Sequence, residues 1–168
     1  MNETEKIAAL IPRLRRYARA LLGDAVAADD LVQDTLERAW RKAALWRPGS
    51  DLRAWLFAIM HNLFVNQVRS RRPDKEASLD EGALERPAAA DASAGVQLLD
   101  LASALARLPP EQREVLLLVG LEELTYREAA QVLGVPVGTV MSRLARGRER
   151  LRQLMNGEGG APSLRVVK

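Results

Sequence analysis

One segment, residues 124–152, constrains the fold more than any other part of the chain. It predicts two helices joined by a tight turn. Thr125 and Glu128 have the spacing of a capping box, in which each side chain accepts a backbone N–H at the start of a helix. Gly134 suits the left-handed turn that ends this helix, and Pro136 suits the first turn of the next. In the second helix an apolar stripe recurs at helical spacing: Val137, Val140, Leu144, Gly147, Leu151 and Met155.

The opposite face of this second helix carries hydroxyl and arginine side chains: Thr139, Ser142, Arg143, Arg146 and Arg150. A short helix, a glycine turn and a helix with one apolar and one cationic side form the layout of a DNA-binding helix-turn-helix. An ordinary helical hairpin with a solvated basic face is the alternative. The first helix has small side chains, Ala129 and Ala130, on its inner face, a glycine follows it, and the charges on the outer face of the second helix are all positive. Because these three features coincide, the pattern favours DNA binding.

The composition excludes several kinds of site. The chain has 168 residues, enough for one ordinary domain or two small ones, with no cysteine and one histidine. It therefore lacks a disulfide framework and the usual cysteine- or histidine-rich zinc sites, and we expect no metal and no cofactor. The net charge of +3 favours an anionic partner only weakly. No apolar run approaches membrane-spanning length and no signal peptide opens the chain, so we expect a soluble, cytoplasmic protein without membrane insertion.

Apolar spacing predicts a helix over residues 3–22 and a second over residues 25–45. Pro12 lies inside the first, where we expect a kink or a break into two pieces. Asp24 is expected to cap the second. The apolar face of this second helix is predicted to comprise Leu31, Val32, Thr35, Leu36, Ala39 and Trp40. Its acidic side chains precede its basic ones, which complements the helix dipole without a partner but would also suit a basic partner protein; the residues alone leave both interpretations open.

The spacing also predicts a third helix over residues 52–71, capped by Asp51 and apolar on two nearly opposite faces. Such a helix is central in its domain or has a partner on one side. His61 and Asn62 lie between the faces, near aromatic and arginine residues, a combination that suits single-stranded nucleic acid. A buried helix with a solvated basic end is the alternative, and composition favours it. Trp46, in the preceding turn, is either a core residue or an exposed stacking platform.

The predicted fold class is all-α, with two small helical domains joined by a flexible linker and a helix-turn-helix in the second domain. The first domain is expected to comprise residues 1–72 and the second residues 96–156. Residues 73–95, rich in alanine and acidic side chains, predict the linker. Residues 157–168 show no periodicity and predict a disordered tail.

Two further helices are expected in the second domain before the helix-turn-helix. The first carries a predicted apolar stripe: Leu98, Leu101, Ala102, Leu105 and Leu108. Pro109 and Pro110 are expected to stop this helix and to begin another over residues 110–121.

Several motifs recur in the order and at the spacing of one known family. In the first domain they are ADDLVQDTLERAW at residues 28–40 and DLRAWLFAIMHNLFVNQVRSRR at residues 51–72. In the second they are LPPEQREVLLL at 108–118, LTYREAAQVLGVPVGTV at 124–140 and SRLARGRERL at 142–151. On these motifs the chain resembles an extracytoplasmic-function sigma factor of the sigma-70 family, the compact two-domain class of bacterial transcription initiation factors. The resemblance covers nearly everything except the linker and the tail.

The resemblance implies a protein that binds core RNA polymerase and promoter DNA, and that is no enzyme and has no small-molecule substrate. Contacts with the β′ coiled coil and the β flap of the polymerase are implied. The residues implied to bind the β′ coiled coil are Asp30, Gln33, Asp34 and Arg38. Relatives are usually held inactive by an anti-sigma factor, so an anti-sigma factor is an expected partner.

The resemblance also implies two DNA-binding sets. The −10 element, read as a melted non-template strand, is assigned to Trp46, Arg47, His61 and Asn62. The −35 element, read as duplex, is assigned to Thr139, Ser142, Arg143, Ala145 and Arg146, with Arg148 and Arg150 facing phosphates. Met141 stands where relatives are often basic and Asn66 where many have an acid, so no promoter sequence is implied. A helix-turn-helix regulator that binds duplex DNA without core polymerase is the alternative function.

Overall fold

A computed structural model describes residues 2–71 and 92–157 of the chain. These residues form seven α-helices: α1 Glu3–Leu22, α2 Ala25–Arg41, α3 Leu52–Arg71, α4 Ala92–Ala106, α5 Pro110–Leu116, α6 Tyr126–Leu133 and α7 Val137–Met155. The two described ranges contain no strand, so the prediction of an all-α fold is confirmed. The predicted linker and tail lie outside the described residues, apart from the linker's last four positions, which begin α4, and Gly157.

Helix α1 is continuous through Pro12, so of the two predicted outcomes the break into two pieces does not occur, and the kink stays a prediction. Pro12 and Ala8 are both exposed, which means that the Ala8 carbonyl left without an intrahelical N–H partner faces water. At the start of the helix, Asn2 Oδ1 accepts the backbone N–H of Glu5 at 2.8 Å. Gly23 ends the helix in the left-handed conformation, with φ of 72°, as predicted.

Helix α2 begins as predicted and ends earlier. Asp24 Oδ1 accepts the backbone N–H of Val26 at 3.1 Å, which confirms the cap. The helix ends at Arg41, and a short 3-10 turn over Ala43–Leu45 replaces its predicted last turn. Trp40 does not join the apolar inner face as predicted, since it is 64% exposed. The buried positions Leu31, Val32, Thr35 and Ala39 form a narrow stripe, and the large indole lies beyond its edge.

Helix α3 has the predicted bounds and occupies the predicted central position. Asp51 Oδ1 accepts the backbone N–H groups of Arg53 and Ala54 at 3.0 and 3.3 Å, which confirms the cap. The helix packs against α2 on one side and against α6 on another, which explains its two apolar faces. Its buried side chains are Leu56, Phe57, Ile59, Met60 and Phe64. The Phe57 ring meets the Tyr17 ring of α1 edge-on, with centroids 5.0 Å apart.

The predicted stripe of α4 is only partly buried. Leu105 and Leu108 lie in the core, but Leu98, Leu101 and Ala102 are exposed, which corrects the prediction. The burial of Ala104 and Leu105 shows that the C-terminal end of α4 packs into the core, and the helix contacts α1 and α7. Helix α5 begins at Pro110 as predicted and passes at Leu117 into a π-helical turn that ends at Leu121.

The helix-turn-helix forms as predicted from residue 125 onward. Thr125 Oγ1 accepts the backbone N–H of Glu128 at 3.0 Å, and Glu128 Oε1 accepts that of Thr125 at 2.8 Å. Gly134 has φ of 69°. Pro136 precedes the first helical residue of α7 instead of lying within the first turn.

The apolar stripe of α7 is buried in its middle only. Val140, Leu144 and Gly147 are buried, as predicted. Val137 and Met155, at the two ends of the helix, are 38% and 43% exposed, which corrects the prediction there. At Gly147 a Cβ atom would lie 3.2 Å from Leu116 Cδ1, so the absence of a side chain lets α7 approach α5 closely.

Helices α1–α3, the N-terminal unit, and helices α4–α7, the C-terminal unit, share one hydrophobic core. Arg113 of α5 reinforces their contact, because its guanidinium donates to four carbonyl oxygens. Three belong to the C-terminal unit: Leu105 at 2.8 Å, Leu108 at 2.7 Å and Ala106 at 3.2 Å. The fourth is Leu21 of α1, at 3.0 Å. Burial lowers the pKa of Arg113, and the nearby carboxylate of Glu114 raises it in part.

Candidate nucleic-acid and polymerase interface

The residues predicted to bind the polymerase coiled coil form one side of α2. Asp30, Gln33 and Asp34 are exposed, and Arg38 is half-buried. Their spacing of three or four residues places neighbouring members one above the other on the helix. The fold therefore presents two free carboxylates, an amide and a guanidinium on a rigid helical surface.

Large apolar side chains border this acidic face, and the sequence interpretation missed them. Val26 is 66% exposed and precedes Asp30 by one turn. Trp40, 64% exposed, follows Gln33 by two turns, and Leu45 in the 3-10 turn is 74% exposed. An exposed tryptophan beside exposed aliphatic groups is typical of a protein interface. The sequence feature that could have indicated exposed apolar side chains here was Leu45, an apolar residue next to a predicted turn.

Trp46 and Arg47 lie at the N-terminal end of α3. Trp46 is half-buried against Trp55, with ring centroids 6.3 Å apart, so it is neither a core residue nor a free platform. Its Nε1 is enclosed and has no hydrogen-bond partner among the described residues. Arg47 is exposed, and its carbonyl accepts the Ser50 hydroxyl at 2.6 Å, which closes the turn.

His61 and Asn62 lie farther along α3, and they differ in environment. Six residues separate His61 from Trp55, or about 9 Å along the helix axis. Asn62 is exposed. His61 is half-buried and faces the C-terminal unit, where its Nδ1 lies 2.5 Å from Glu114 Oε2. The structure therefore leaves Asn62 free and covers His61 with an acid from α5.

Most of the predicted −35 set lies on the open side of α7. Ser142, Ala145, Arg146, Arg148 and Arg150 are exposed. A groove of about 530 Å³ runs between this side and the start of α5. Its lining is Pro109, Gln112, Ala145, Arg146, Glu149, Arg150 and Gln153. The outer side of the second helix of the helix-turn-helix is thus cationic and accessible, which duplex DNA requires.

Thr139 and Arg143 depart from this pattern because both are half-buried. Arg143 lies close enough to Glu114 for its charge to act on that carboxyl group. Burial raises the pKa of Glu114, whereas the hydrogen bond and charge of His61 and the charge of Arg143 lower it in part. The structure thus brings together His61 and Arg143, which belong to different predicted DNA-binding sets, around one buried carboxyl group.

Known families match both units separately. The model of the Sigma2 domain of PhyR matches residues 7–61, and that of Sigma-70, region 4, matches residues 98–151. The ECF RNA polymerase sigma factor EcfG of Rhodopseudomonas palustris (strain TIE-1) is 40% identical over 155 residues, which cover 92% of this chain and 86% of that protein. The chain belongs to the ECF sigma factors. Its role is that of an RNA polymerase sigma factor in transcription initiation, and the duplex-only regulator is not favoured.

Two solved structures share the fold of this sigma factor. The sigma factor RpoE of Bartonella quintana, in complex with the anti-sigma factor NepR, is 35% identical with a TM-score of 0.77, over 90% of this chain and 95% of that one. CnrH, in complex with the cytosolic domain of CnrY, is 30% identical with a TM-score of 0.69, over 92% and 88% of the respective chains.

Sequence reasoning missed the ionised groups between the two units of this sigma factor. Glu122 is fully buried, and its carboxylate receives Arg13 Nε at 2.9 Å and Arg16 Nη2 at 3.0 Å. Burial, followed by the charges of Glu114 and Glu122, raises the pKa of Tyr17. A detectable signal was the position of the two acids, since Glu114 directly precedes and Glu122 directly follows the apolar run VLLLVGL.

Neither a metal site nor a membrane span is evident in the described part of this sigma factor. Within residues 2–71 and 92–157, no group of three or more acidic or histidine side chains is placed to hold a metal ion. No helix in these ranges combines the length and apolarity needed to cross a bilayer.

Proposed function

We propose that this sigma factor divides promoter recognition between its two units. The C-terminal unit, extending the predicted domain of residues 96–156, reads the −35 element as duplex. The N-terminal unit, within the predicted domain of residues 1–72, holds core polymerase and the melted −10 strand. The observation that carries the proposal is the accessible cationic side of α7, placed on a helix-turn-helix. A helix of this kind fits the major groove, where each base pair shows a distinct pattern of donors and acceptors.

In the proposed −35 contact, side chains on the open side of α7 have different tasks. Arg146 is assigned to a base edge, since a guanidinium can bond two acceptors of guanine. Ser142 and Ala145 lie one turn and one residue before it and are assigned to neighbouring bases. Arg148 and Arg150 are assigned to phosphates, which supply affinity without sequence information. Thr139 and Arg143 are assigned to the same surface once Glu114 withdraws.

In the proposed −10 contact, Trp46, Arg47, His61 and Asn62 receive the unpaired strand. Taking a base out of the stack costs about a few kcal/mol. The exposed part of the Trp46 indole and the exposed amide of Asn62 can offset this cost by stacking and hydrogen bonding. None of these steps requires proton transfer, so we assign the chain no catalytic residue, and the polymerase carries out the chemistry.

Core polymerase is proposed to bind the acidic face of α2 through its β′ coiled coil, with the β flap as a further contact of the chain. Asp30, Gln33, Asp34 and Arg38 are the proposed contacts, bordered by the exposed Trp40. An anti-sigma factor is also a proposed partner, because the similar sigma factor RpoE of Bartonella quintana was solved in complex with one. Because the proposed function requires core polymerase, the proposed site of action is the cytoplasm, at the nucleoid.

Transcription in vitro tests the proposal directly. The full-length chain and core polymerase are incubated with a library of promoter templates, and the start sites of the RNA products are mapped. We expect sigma-dependent initiation at sites that share one −35 and one −10 sequence. Duplex binding without any sigma-dependent RNA would instead support a regulator that acts without polymerase.

A further inference from the structure

The acid and the arginines that join the two units differ in their exposure to solvent. The Glu122 side chain is fully buried, whereas its partners Arg13 and Arg16 keep 35% and 53% of their side-chain surface exposed. Arg13 Nη2 also donates to the Glu122 carbonyl at 3.1 Å. The cations thus lie at the surface of the N-terminal unit, and the acid that they bind comes from the C-terminal unit.

A third arginine extends this cationic group onto α3. Arg53 Nη2 lies 3.5 Å from Glu128 Oε1, and Arg53 Nη1 lies 3.4 Å from the Glu122 carbonyl. Arg53 is therefore directed at the same acidic side of the C-terminal unit as Arg13 and Arg16. It also shares a helix with His61, which is covered by Glu114 of the same unit.

The N-terminal unit offers these arginines little of its own negative charge. Within residues 2–71, Asp29 forms ion pairs with Arg15 and Arg19, and Asp51 lies 4.0 Å from Arg53. The ion pairs found for Arg13 and Arg16 in the described residues go to Glu122 alone. Separation of the units would leave Arg13 and Arg16 without the carboxylate of Glu122, and Arg53 with Asp51 alone.

We propose that Arg13, Arg16 and Arg53 form a phosphate-binding face for single-stranded DNA, which Glu122 and Glu128 occupy in the closed chain. Two guanidinium groups that grip the two oxygens of one carboxylate can grip two oxygens of a phosphate in the same way. The face shares α3 with the half-buried His61, which lies about 12 Å along the helix axis from Arg53. Cations on the same surface as base-contacting side chains suit a single strand. The C-terminal unit and the strand then compete for the same cations. This inference rests on the proposed function of the N-terminal unit.

A binding experiment on the full chain without polymerase tests the competition. The probe is a fluorescein-labelled oligodeoxythymidine of about 12 nucleotides, and its dissociation constant is measured by anisotropy over a salt series. Glu122→Gln removes the competing charge with little change in side-chain volume. We therefore expect the dissociation constant for the oligonucleotide to be at least about fivefold lower than that of wild type. Glu123→Gln is the matched control, because it changes the same charge at an exposed neighbour and should bind as wild type does.

A double variant separates a binding face from a structural contact. If Arg13 binds phosphate, Glu122→Gln combined with Arg13→Gln loses the gained affinity, and its salt slope falls by about 0.7 relative to Glu122→Gln. Equal binding by the double and single variants would overturn the proposal, as would unchanged binding by Glu122→Gln. Circular dichroism checks the folding of each variant.

If Glu122→Gln fails to fold, a second measurement tests the proposal without any variant. Arginine modification by phenylglyoxal is mapped by mass spectrometry in the complex with core polymerase, with and without the oligonucleotide. Protection of Arg13 and Arg16 by the oligonucleotide supports the face, and unchanged modification overturns it. The transcription assay of the wild-type chain reports separately on the proposed function, so failure of one is distinguishable from failure of the other.

Discussion

His61 Nδ1 of α3 lies 2.5 Å from Glu114 Oε2 of α5, which joins the two units through the only histidine of the chain. The Glu114 side chain is 4% exposed and that of His61 14% exposed. A carboxyl group this far from water favours its neutral form unless a cation or a donor compensates. His61 supplies part of that compensation, and the contact occupies a side chain that we assign to promoter DNA.

The buried carboxyl group predicts a pH-dependent stability. Because burial raises the pKa of Glu114 above its usual value of 4.5, the folded state binds more protons than the unfolded state in the range just above pH 4.5. The free energy of unfolding contributed by Glu114 therefore falls as pH rises through this range, at about 1.4 kcal/mol for each unit of pKa difference. We expect wild type to lose stability relative to Glu114→Gln as pH rises above 4.5.

Urea unfolding at several pH values measures this difference. The control is Arg107→Gln, an exposed change in the same unit that removes no carboxyl group and should keep a nearly constant difference from wild type. A difference between wild type and Glu114→Gln that stays flat or grows with pH would contradict the assignment.

Arg113 is expected to be important for stability. Its guanidinium satisfies four carbonyl oxygens in the contact between α1, α4 and α5, so Arg113→Gln leaves several of them unpaired. We expect the free energy of unfolding to fall by about 2–4 kcal/mol, measured by urea titration. Arg107→Gln, at an exposed position nearby, should change it by less than about 0.5 kcal/mol. Similar losses in the two variants would show that Arg113 is not a special contact.

The acidic face of α2 is expected to decide polymerase binding. Asp30→Asn combined with Asp34→Asn removes two exposed carboxylates, and we expect affinity for core polymerase to fall by about 2–5 kcal/mol while binding to promoter duplex is retained. Fluorescence titration of core polymerase with the labelled chain measures the loss. Asp29→Asn is the control on the same helix, because Asp29 faces Arg15 and Arg19 of α1. Wild-type polymerase affinity in the double variant would refute the assignment of this face.

Arg146 is expected to read a base pair. Arg146→Ala should weaken binding to the −35 duplex by about 1–3 kcal/mol and reduce discrimination at one position of the element. The measurement compares the dissociation constants of wild type and variant over duplexes with each single base-pair change. A uniform loss over all duplexes would instead place Arg146 on a phosphate.

Arg150 is expected to contact the DNA backbone. Arg150→Ala should weaken binding to every duplex about equally and lower the slope of affinity against salt by about one contact. Arg152→Gln serves as the control, because Arg152 lies farther along α7 and pairs with Glu149. A loss that differs strongly between duplex sequences would assign base readout to Arg150.

Local features of this fold could be predicted from the sequence because their causes lie within a few residues. The Thr125–Glu128 capping box, the left-handed Gly134 and the caps at Asp24 and Asp51 each depend on neighbours in the chain. The face of a helix on which a large side chain lies is harder to predict than a cap. Trp40 has the spacing of the inner face of α2 but lies at its edge, where it is exposed.

Contacts between distant parts of the chain could not be predicted in this way. Arg13 and Glu122 are 109 residues apart, and His61 and Glu114 are 53 residues apart. Nothing in local propensity states which arginine will meet which acid. The roles of the predicted polymerase and DNA residues remain predictions, since their accessibility alone assigns no partner.

The hydrogen bonds of Arg113 also influence how the chain recloses after its units part. Three of the four acceptors belong to the unit that carries the arginine, so parting breaks only the bond to Leu21. The guanidinium then keeps the orientation in which it left that carbonyl. The two units can then re-form their contact in one relative orientation instead of several, so the chain can return repeatedly to the same compact form.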